Sequence, residues 1–262
     1  MVLLGARYPA PAMDVRDGSN PAVGRLAAVL AVGALLPATP AAAETLVSLS
    51  TGTSFTRHGD LHLVQPGLGT DLTAHGVAWG AAPWRPAPYY GLRLTHFFAR
   101  DPHWGVALDH THYKMDARVD RVVAVDGTWR GAPVAEAVPL DRYVQRFELS
   151  HGVNVLSLSG VYRWLDPALA GGRLQPYVGA GLAHYRPHAE STVGGAAFET
   201  GYQPSGWGWQ LLAGAHYRLD ERWSVFAEVR LNHGTARVDI AGGHAETPLR
   251  TAHLAGGISL AF

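Results

Sequence analysis

The chain has 262 residues, with 21 Lys and Arg balanced by 21 Asp and Glu, and it contains no cysteine. The zero formal net charge gives no reason to expect a nucleic-acid partner. The missing thiols exclude disulfides as a source of stability in an exported chain.

Residues 1–43 differ from the rest of the chain and predict a secretory signal peptide. Arg25 precedes the apolar run LAAVLAVGALL, and Ala41 and Ala43 form a small-x-small cleavage pattern before Glu44. Met13 is an alternative start within this segment. After residue 43 no apolar run reaches the roughly 18 residues that a membrane-spanning helix needs. We expect residues 44–262 to form a single domain.

Strand-like segments alternate with turn-rich connections over residues 44–262. We predict eight strands, at roughly 44–55, 88–98, 104–114, 148–164, 174–188, 204–218, 223–240 and 249–262. The short connections ARDPH, LDPALAGGR and LDER are rich in Asp, Pro and Gly. The long connections are residues 56–87, 115–147, 189–203 and 241–248. This alternation is typical of an outer-membrane barrel with tight periplasmic turns and long outer loops.

The final segment, HLAGGISLAF, has apolar residues at every second position and ends on Phe262. This ending resembles the C-terminal signal that outer-membrane barrels present to the barrel assembly machinery, an expected partner. We therefore predict an all-β fold, an eight-stranded antiparallel transmembrane β-barrel in the bacterial outer membrane, acting as a monomer. The alternative fold is a secreted lipocalin-like barrel, which would bury the apolar face of each strand inside.

Strand parity predicts which side chains face the lumen. In SVFAEVRLNHG the apolar Val, Ala and Leu alternate with larger or polar residues, so the latter point inward. An eight-stranded barrel is just wide enough for side chains to fill it. We predict an ionic network that plugs the lumen and is accommodated by Gly179 and Gly181. Its members are Arg93, Asp109, Glu228 and Arg230.

Aromatic residues cluster near both ends of the predicted strands, where they suit the membrane interfaces. The predicted periplasmic girdle contains Phe97, Phe98, Trp104, Tyr162, Trp164, Tyr217, Trp223 and Phe262. The predicted outer girdle contains Tyr89, Tyr113, Tyr185, Trp207 and Trp209.

The chain lacks HExxH, Gly-x-Ser-x-Gly, P-loop and CxxC motifs, so a site must be argued from its 14 histidines. His233 and Thr235 share one strand face, and Glu246 follows across a short predicted loop. A histidine base, a hydroxyl nucleophile and an orienting carboxylate are the elements of acyl hydrolysis. This set resembles that of the lipid A 3-O-deacylase barrels, with threonine in place of their serine.

Three further segments are more distinctive: DHTHYK, SHGVNVLSL and YRPHAE. With them, most of the mature chain resembles the lipid A oxidase-type outer-membrane barrels, within the small OmpA-type superfamily. The resemblance implies O2-dependent oxidation of the proximal glucosamine of 1-dephosphorylated lipid A to an aminogluconate.

That chemistry needs a base and a means of activating O2, for which a divalent metal held by histidine and carboxylate is the usual solution. We choose the candidate catalytic residues by their predicted position near the outer rim. They are His112, His151, Asn154, His188 and Glu190. Lys114 is the candidate for a lipid A phosphate.

Three function classes remain open from the sequence. They are the lipid A oxidase, the lipid A hydrolase, and a non-enzymatic barrel that serves envelope integrity or surface contact. The lipid A of lipopolysaccharide is the expected partner of the first two classes.

Overall fold

The computed structural model describes residues 43–85 and 87–262. All of the predicted signal peptide except Ala43, and with it the alternative start at Met13, lies outside these residues. No helix in the described part of the chain is long and apolar enough to cross a membrane.

The described residues form one antiparallel sheet of fifteen strands, because their apolar residues recur with the period of a strand. The strands are β1 (Glu44–Thr56), β2 (Gly59–Gln65), β3 (Thr70–Val77), β4 (Trp79–Ala81), β5 (Tyr90–Phe98), β6 (Asp101–Ala117), β7 (Val122–Trp129), β8 (Ala132–Pro139), β9 (Val144–Arg163), β10 (Leu174–Pro187), β11 (Glu190–Val193), β12 (Ala196–Glu199), β13 (Trp207–Arg218), β14 (Trp223–Ile240) and β15 (Gly243–Ala261). Single 3-10 turns span Pro66–Leu68, Leu140–Arg142 and Ala170–Gly172.

The sheet closes on itself as a ring in the order β1, β5, β6, β9, β10, β13, β14 and β15. Closure comes from the pairing of β1 with β15, which runs from Leu46 opposite Ala261 to Thr56 opposite Thr251. Every strand of the ring therefore has a hydrogen-bonded neighbour on both sides, as a sheet that spans a membrane requires. Residue 44, the end of β15 and the short connections share one end of the ring, here called the terminal end. The opposite end is the outer end.

The connections predicted as long outer loops contain strands, which corrects that prediction. The region 56–87 contains β2, β3 and β4, the region 115–147 contains β7 and β8, and the region 189–203 contains β11 and β12. In the region 241–248, β15 starts at Gly243 and pairs with β2, from which the sheet continues through β3 and β7 to β8.

We call β2, β3, β7 and β8 the outer head. It forms because its strands alternate apolar residues that bury a shared core. Leu61, Leu63, Leu72 and Val125 are each at most 2 % exposed within that core.

The outward face of the ring is apolar at mid-height, as a lipid-facing surface must be. Leu158 is 60 % exposed, Leu254 54 % and Val229 49 %, while their strand neighbours Ser159 and Glu228 are buried inside. This inside-out distribution is opposite to that of a lipocalin-like barrel. The chain is therefore built as a β-barrel of the bacterial outer membrane.

The aromatic girdles are confirmed in part by side-chain exposure. At the terminal end Phe98, Trp104, Trp164, Tyr217 and Trp223 face outward and are at least 40 % exposed. At the outer end Trp207 and Trp209 do the same.

Four aromatics assigned to the girdles point inward instead: Phe97, Tyr89, Tyr113 and Tyr185 are all at most 3 % exposed. Their predicted membrane-interface positions were wrong because these rings fall on the inward parity of the ring wall. Phe97 lies under the Arg163 guanidinium, whose carbon is 3.6 Å from the ring centroid.

Candidate functional site

The ionic network inside the ring joins Arg93, Asp109, Glu228 and Arg230. Arg93 Nε donates to Asp109 Oδ1 at 2.5 Å, and its two Nη atoms donate to the Glu228 carboxylate at 2.8 Å each. Arg230 also contacts Glu228, with Nε 3.1 Å from Oε1. Tyr177 Oη donates to the same carboxylate at 2.8 Å. Parity had placed these four charged groups together, and all of them are almost fully buried.

The space for this network comes from Gly214, which corrects the prediction for Gly179 and Gly181. A Cβ on Gly214 would lie 2.7 Å from the Glu228 Cβ and 2.8 Å from Tyr177 Oη. Leu212 side-chain atoms lie 3.0 Å from the corresponding position on Gly179, and Ser159 atoms lie 2.5 Å from that on Gly181. Those two glycines therefore accommodate neighbours other than the ionic groups.

The candidate site lies at the outer end, where β9, β11, β12 and the connection between β10 and β11 bring two histidines and two glutamates together. We call His151, His188, Glu190 and Glu199 the histidine cluster. The rings of His151 and His188 are 4.3 Å apart between centroids. His151 Nδ1 is 3.0 Å from a Glu190 oxygen, and His188 Nε2 is 3.2 Å from a Glu199 oxygen. Candidate ligand atoms of His151, His188 and Glu199 all lie within 4.8 Å of one another.

Backbone geometry around Gly152 positions the two histidines. Gly152 has a φ of +99°, a conformation that L side chains rarely adopt. Its carbonyl oxygen accepts a hydrogen bond from the His188 backbone nitrogen at 3.1 Å. This contact fixes the start of the β11 segment against β9, directly beside His151.

The register of the strands brings the carboxylates of the cluster close together. Glu190 pairs with Glu199 on one side and with Glu148 on the other. Directly opposed carboxylates repel each other unless cations lie between them. Arg146 supplies one such cation, 2.6 Å from Glu190 and 3.0 Å from Glu148. Two carboxylates and two imidazoles in one place are a donor set that suits a first-row divalent metal.

Glu199 was not predicted, although the sequence contains the signal that identifies it. Gly194 and Gly195 both have positive φ and form the two-residue turn that Gly-Gly favours in hairpins. Counting outward from this turn places Glu190 opposite Glu199. The region 189–203 was instead predicted to be a long outer loop.

His112 and Asn154, also predicted as site residues, form a pair next to the cluster. His112 Nδ1 is 2.9 Å from Asn154 Oδ1, and the two residues are register partners on β6 and β9. The Tyr90 ring stacks on His112 at 4.9 Å with an interplanar angle of 11°, so His112 is only 2 % exposed. A Cβ on Gly152 would overlap the same imidazole.

A groove on the lipid-facing side adjoins this pair and has a volume of about 210 Å³. We call it the histidine groove; it is lined by His110, Asn154, Leu156, His184, Arg186 and Tyr202. Tyr202 links the groove to the cluster, because its hydroxyl donates to the His151 carbonyl at 2.6 Å and its ring lies 5.3 Å from that of His188.

Lys114 does not line this groove, and its assignment to a lipid phosphate stays a prediction. Its side chain is buried, with 4 % of the residue exposed, and it interacts electrostatically with Asp116, Glu148 and Glu190. Arg186 is the exposed cation of the groove, and sequence reasoning missed it.

The predicted hydrolase set is not assembled by the strand register. Glu246 lies opposite Arg237, four residues beyond His233 on β14. That offset corresponds to about 13 Å along a strand, too far for the carboxylate to orient the imidazole. His233 stacks on Trp209 instead, and Glu246 lies 4.0 Å from Arg237. The register therefore separates Glu246 from His233, and the role of Thr235 as a nucleophile stays a prediction.

Comparisons with known proteins found similarity only at the level of solved structures. No protein-family model matches the chain, and no curated protein matches it. The chain is similar to the outer membrane protein OprG from Pseudomonas aeruginosa, with a TM-score of 0.46, 14 % identity, and coverage of 85 % of this chain and 97 % of that one.

Two other solved structures are similar at a comparable level. Neisserial surface protein A has a TM-score of 0.40 and 13 % identity, with 83 % of this chain and 96 % of that one covered. The outer membrane protease OmpT from Escherichia coli has a TM-score of 0.41 and 11 % identity, with 87 % of this chain and 99 % of that one covered.

Proposed function

We propose that this chain is an outer-membrane enzyme that oxidises lipid A at the outer end of its barrel. The reaction would convert the proximal glucosamine of 1-dephosphorylated lipid A to an aminogluconate, with O2 as the oxidant. The observation that carries the proposal is the histidine cluster beside a groove that opens toward the membrane. Because lipid A lies in the outer leaflet, its sugar would reach the groove without leaving the bilayer.

We also infer that the eight ring strands form the membrane wall and that the ionic network closes the lumen. A closed lumen directs any chemistry to the outside of the barrel, where the cluster and the groove lie. The alternative function is that of a non-enzymatic barrel. It would have the same wall and the same closed lumen, but the histidine cluster would have no catalytic role in it.

The donor set of the cluster fits the divalent metal that such an oxidation requires. His151, His188 and Glu199 would hold the ion, and this combination of two histidines and one carboxylate is that of non-heme iron oxygenases. When bound, the metal would supply the activation of O2. Glu190 would orient the His151 ring through Nδ1, a contact that tunes metal-bound histidines in general.

The groove residues would bind the sugar and move its proton. His110 faces the groove and would accept the proton of the anomeric hydroxyl, while Arg186 would bind a phosphate of the lipid. Loss of two hydrogens from the hemiacetal gives a lactone and reduces O2 to hydrogen peroxide. Addition of water then opens the lactone to the acid, a net gain of one oxygen atom.

The test uses the purified full chain in detergent, loaded with Fe²⁺ or Cu²⁺ and given 1-dephosphorylated lipid A in air. We expect peroxide and oxidised lipid in equal amounts. His188→Ala should lose both bound metal, measured by elemental mass spectrometry, and activity. His110→Ala should keep the metal and lose most turnover.

His244→Ala, which changes a histidine of β15 outside the cluster, is the matched control and should behave as wild type. Unchanged lipid with every metal supplied, or full activity in the His188 variant, would overturn the proposal. In the first case the non-enzymatic barrel would be the better account.

A further inference from the structure

A second groove lies at the outer end, on a different part of the outward face of the ring. It lies over β13, β14, β15 and the end of β1. Its volume is about 870 Å³. Residues 55–58, 231–233 and 250–252 line it together with Trp209. We call it the arginine groove, after Arg57 and Arg250.

The register of the strands places basic side chains next to one another along this groove. His233 pairs with Arg250, and the Arg57 backbone nitrogen donates to the Arg250 carbonyl oxygen at 2.9 Å. Trp209 pairs with His233 and stacks on it, with ring centroids 5.4 Å apart and an interplanar angle of 4°. Two arginines and an imidazole therefore lie side by side on the outward face, supported by a tryptophan.

The two guanidinium groups are available to a ligand. Both arginines are exposed, and within the described residues neither side chain has a carboxylate within 4.0 Å. The nearby acid is Asp60, which interacts with Arg250 at longer range. Its oxygens are already engaged by the Gly76 backbone nitrogen at 2.9 Å and by His75 at 3.2 Å.

Exposed apolar side chains continue from the groove toward the terminal end. Phe55 is 63 % exposed, Leu231 45 % and Leu254 54 %. The cations therefore stand at the upper boundary of the lipid-facing band. A ligand that spans this boundary needs an anionic head and apolar chains, which a free inorganic anion does not have.

We propose that the arginine groove binds a phosphate-bearing lipid of the outer leaflet. Arg57 and Arg250 bind the phosphate through charge-assisted hydrogen bonds, and the acyl chains lie along Phe55, Leu231 and Leu254. Trp209 contacts the lipid at the level of the headgroup, where its amphipathic ring is favoured. This site stands apart from the histidine groove, and it holds whether or not the chain is an enzyme.

The experiment is native mass spectrometry of the purified full chain in detergent, titrated with hexa-acylated lipid A that carries two phosphates. We compare wild type with the double variant Arg57→Gln, Arg250→Gln. Removing two charge-assisted contacts should weaken lipid binding about tenfold or more. The heat-dependent gel mobility of folded barrels verifies that each variant is assembled.

A matched control is the double variant Arg121→Gln, Arg142→Gln, which removes the same charge from exposed positions near the outer head. It should bind lipid A as wild type does. Equal binding by the two double variants would overturn the proposal. Undiminished binding of fully dephosphorylated lipid A would do so as well, as would complete competition by millimolar inorganic phosphate, which would indicate a site for free anions.

Discussion

Glu228 is the centre of the ionic network, because it accepts hydrogen bonds from Arg93, Arg230 and Tyr177. Its side chain has no exposed surface. A buried carboxylate of this kind contributes little net stability as a pair, yet its removal leaves uncompensated charge in a place that water cannot reach.

Glu228→Gln should therefore lower the free energy of unfolding by about 3–5 kcal/mol. Urea unfolding of the chain in lipid vesicles measures the change. Arg237→Gln, which breaks an exposed pair with Glu246, should cost less than about 1 kcal/mol. Similar costs for the two variants would contradict the assignment of Glu228 as the centre of the network.

His75 of the outer head lies between Asp126 and Asp60, with ring nitrogens 2.5 Å and 3.2 Å from their carboxylates. The hydrogen bond to Asp126, followed by that to Asp60, raises the pKa of His75 above its ordinary value of 6.5. A raised pKa in the folded state means that the imidazolium stabilises the head below about pH 6.5, and that this stability is lost as the pH rises through the folded pKa.

NMR titration of the His75 ring should give a pKa above 6.5 in wild type and a lower one in Asp126→Asn. A wild-type pKa at or below 6.5 would contradict this account of the head.

Strand parity was sufficient to predict the contacts of Arg93 and Glu228, since inward and outward positions alternate along β5 and β14 around these residues. Tyr113 and Tyr185 were placed in the outer aromatic girdle by their distance from the strand ends alone, without regard to strand parity. Their inward parity was readable, and it overrides the preference of an aromatic ring for the membrane interface.

The geometry of β9 around Gly152 holds the histidine cluster together. A methyl group on this residue meets two obstacles at once, the positive φ of the backbone and the imidazole of His112. The backbone conformation of Gly152 and the position of its neighbour His151 therefore depend on the absence of a side chain at residue 152.

Gly152→Ala should destabilise the fold by about 1–3 kcal/mol and reduce metal binding by the cluster, because His112 and His151 must move. Unfolding measurements and metal titration check the two effects. Gly160→Ala is the control in the same strand, since nothing lies within 4 Å of its added methyl group. Equal behaviour of the two alanine variants would show that Gly152 has no special role.

The outer head was the largest element that sequence reasoning did not predict. Leu61 and Leu63 in β2, like Leu72 and Ala74 in β3, carry the same alternation that identified the ring strands. The expectation of long outer loops outweighed this signal. The pairing of β2 with β15 could not be predicted, because it depends on where β15 extends beyond the ring.

The whole molecule combines a sheet that closes as a ring, a buried ionic network inside that ring and an apolar exterior. Fold alone assigns no activity to such a barrel. The proposed oxidation is therefore supported by the cluster and groove, and the proposed lipid site by the arginines.

A lumen filled by side chains should not conduct ions. In a planar bilayer under an applied voltage, the wild-type chain should give no steady channel steps. A stable conductance typical of porins would contradict the inferred closure by Arg93, Asp109, Glu228 and Arg230.

The most direct test of the account is the mass spectrum of lipid A from a Gram-negative host that makes 1-dephosphorylated lipid A and expresses this chain. We expect a gain of one oxygen atom on the proximal sugar with wild type and no gain with His188→Ala at equal levels of assembled barrel. Lipid A of unchanged mass in cells with abundant, correctly folded wild-type chain would contradict it.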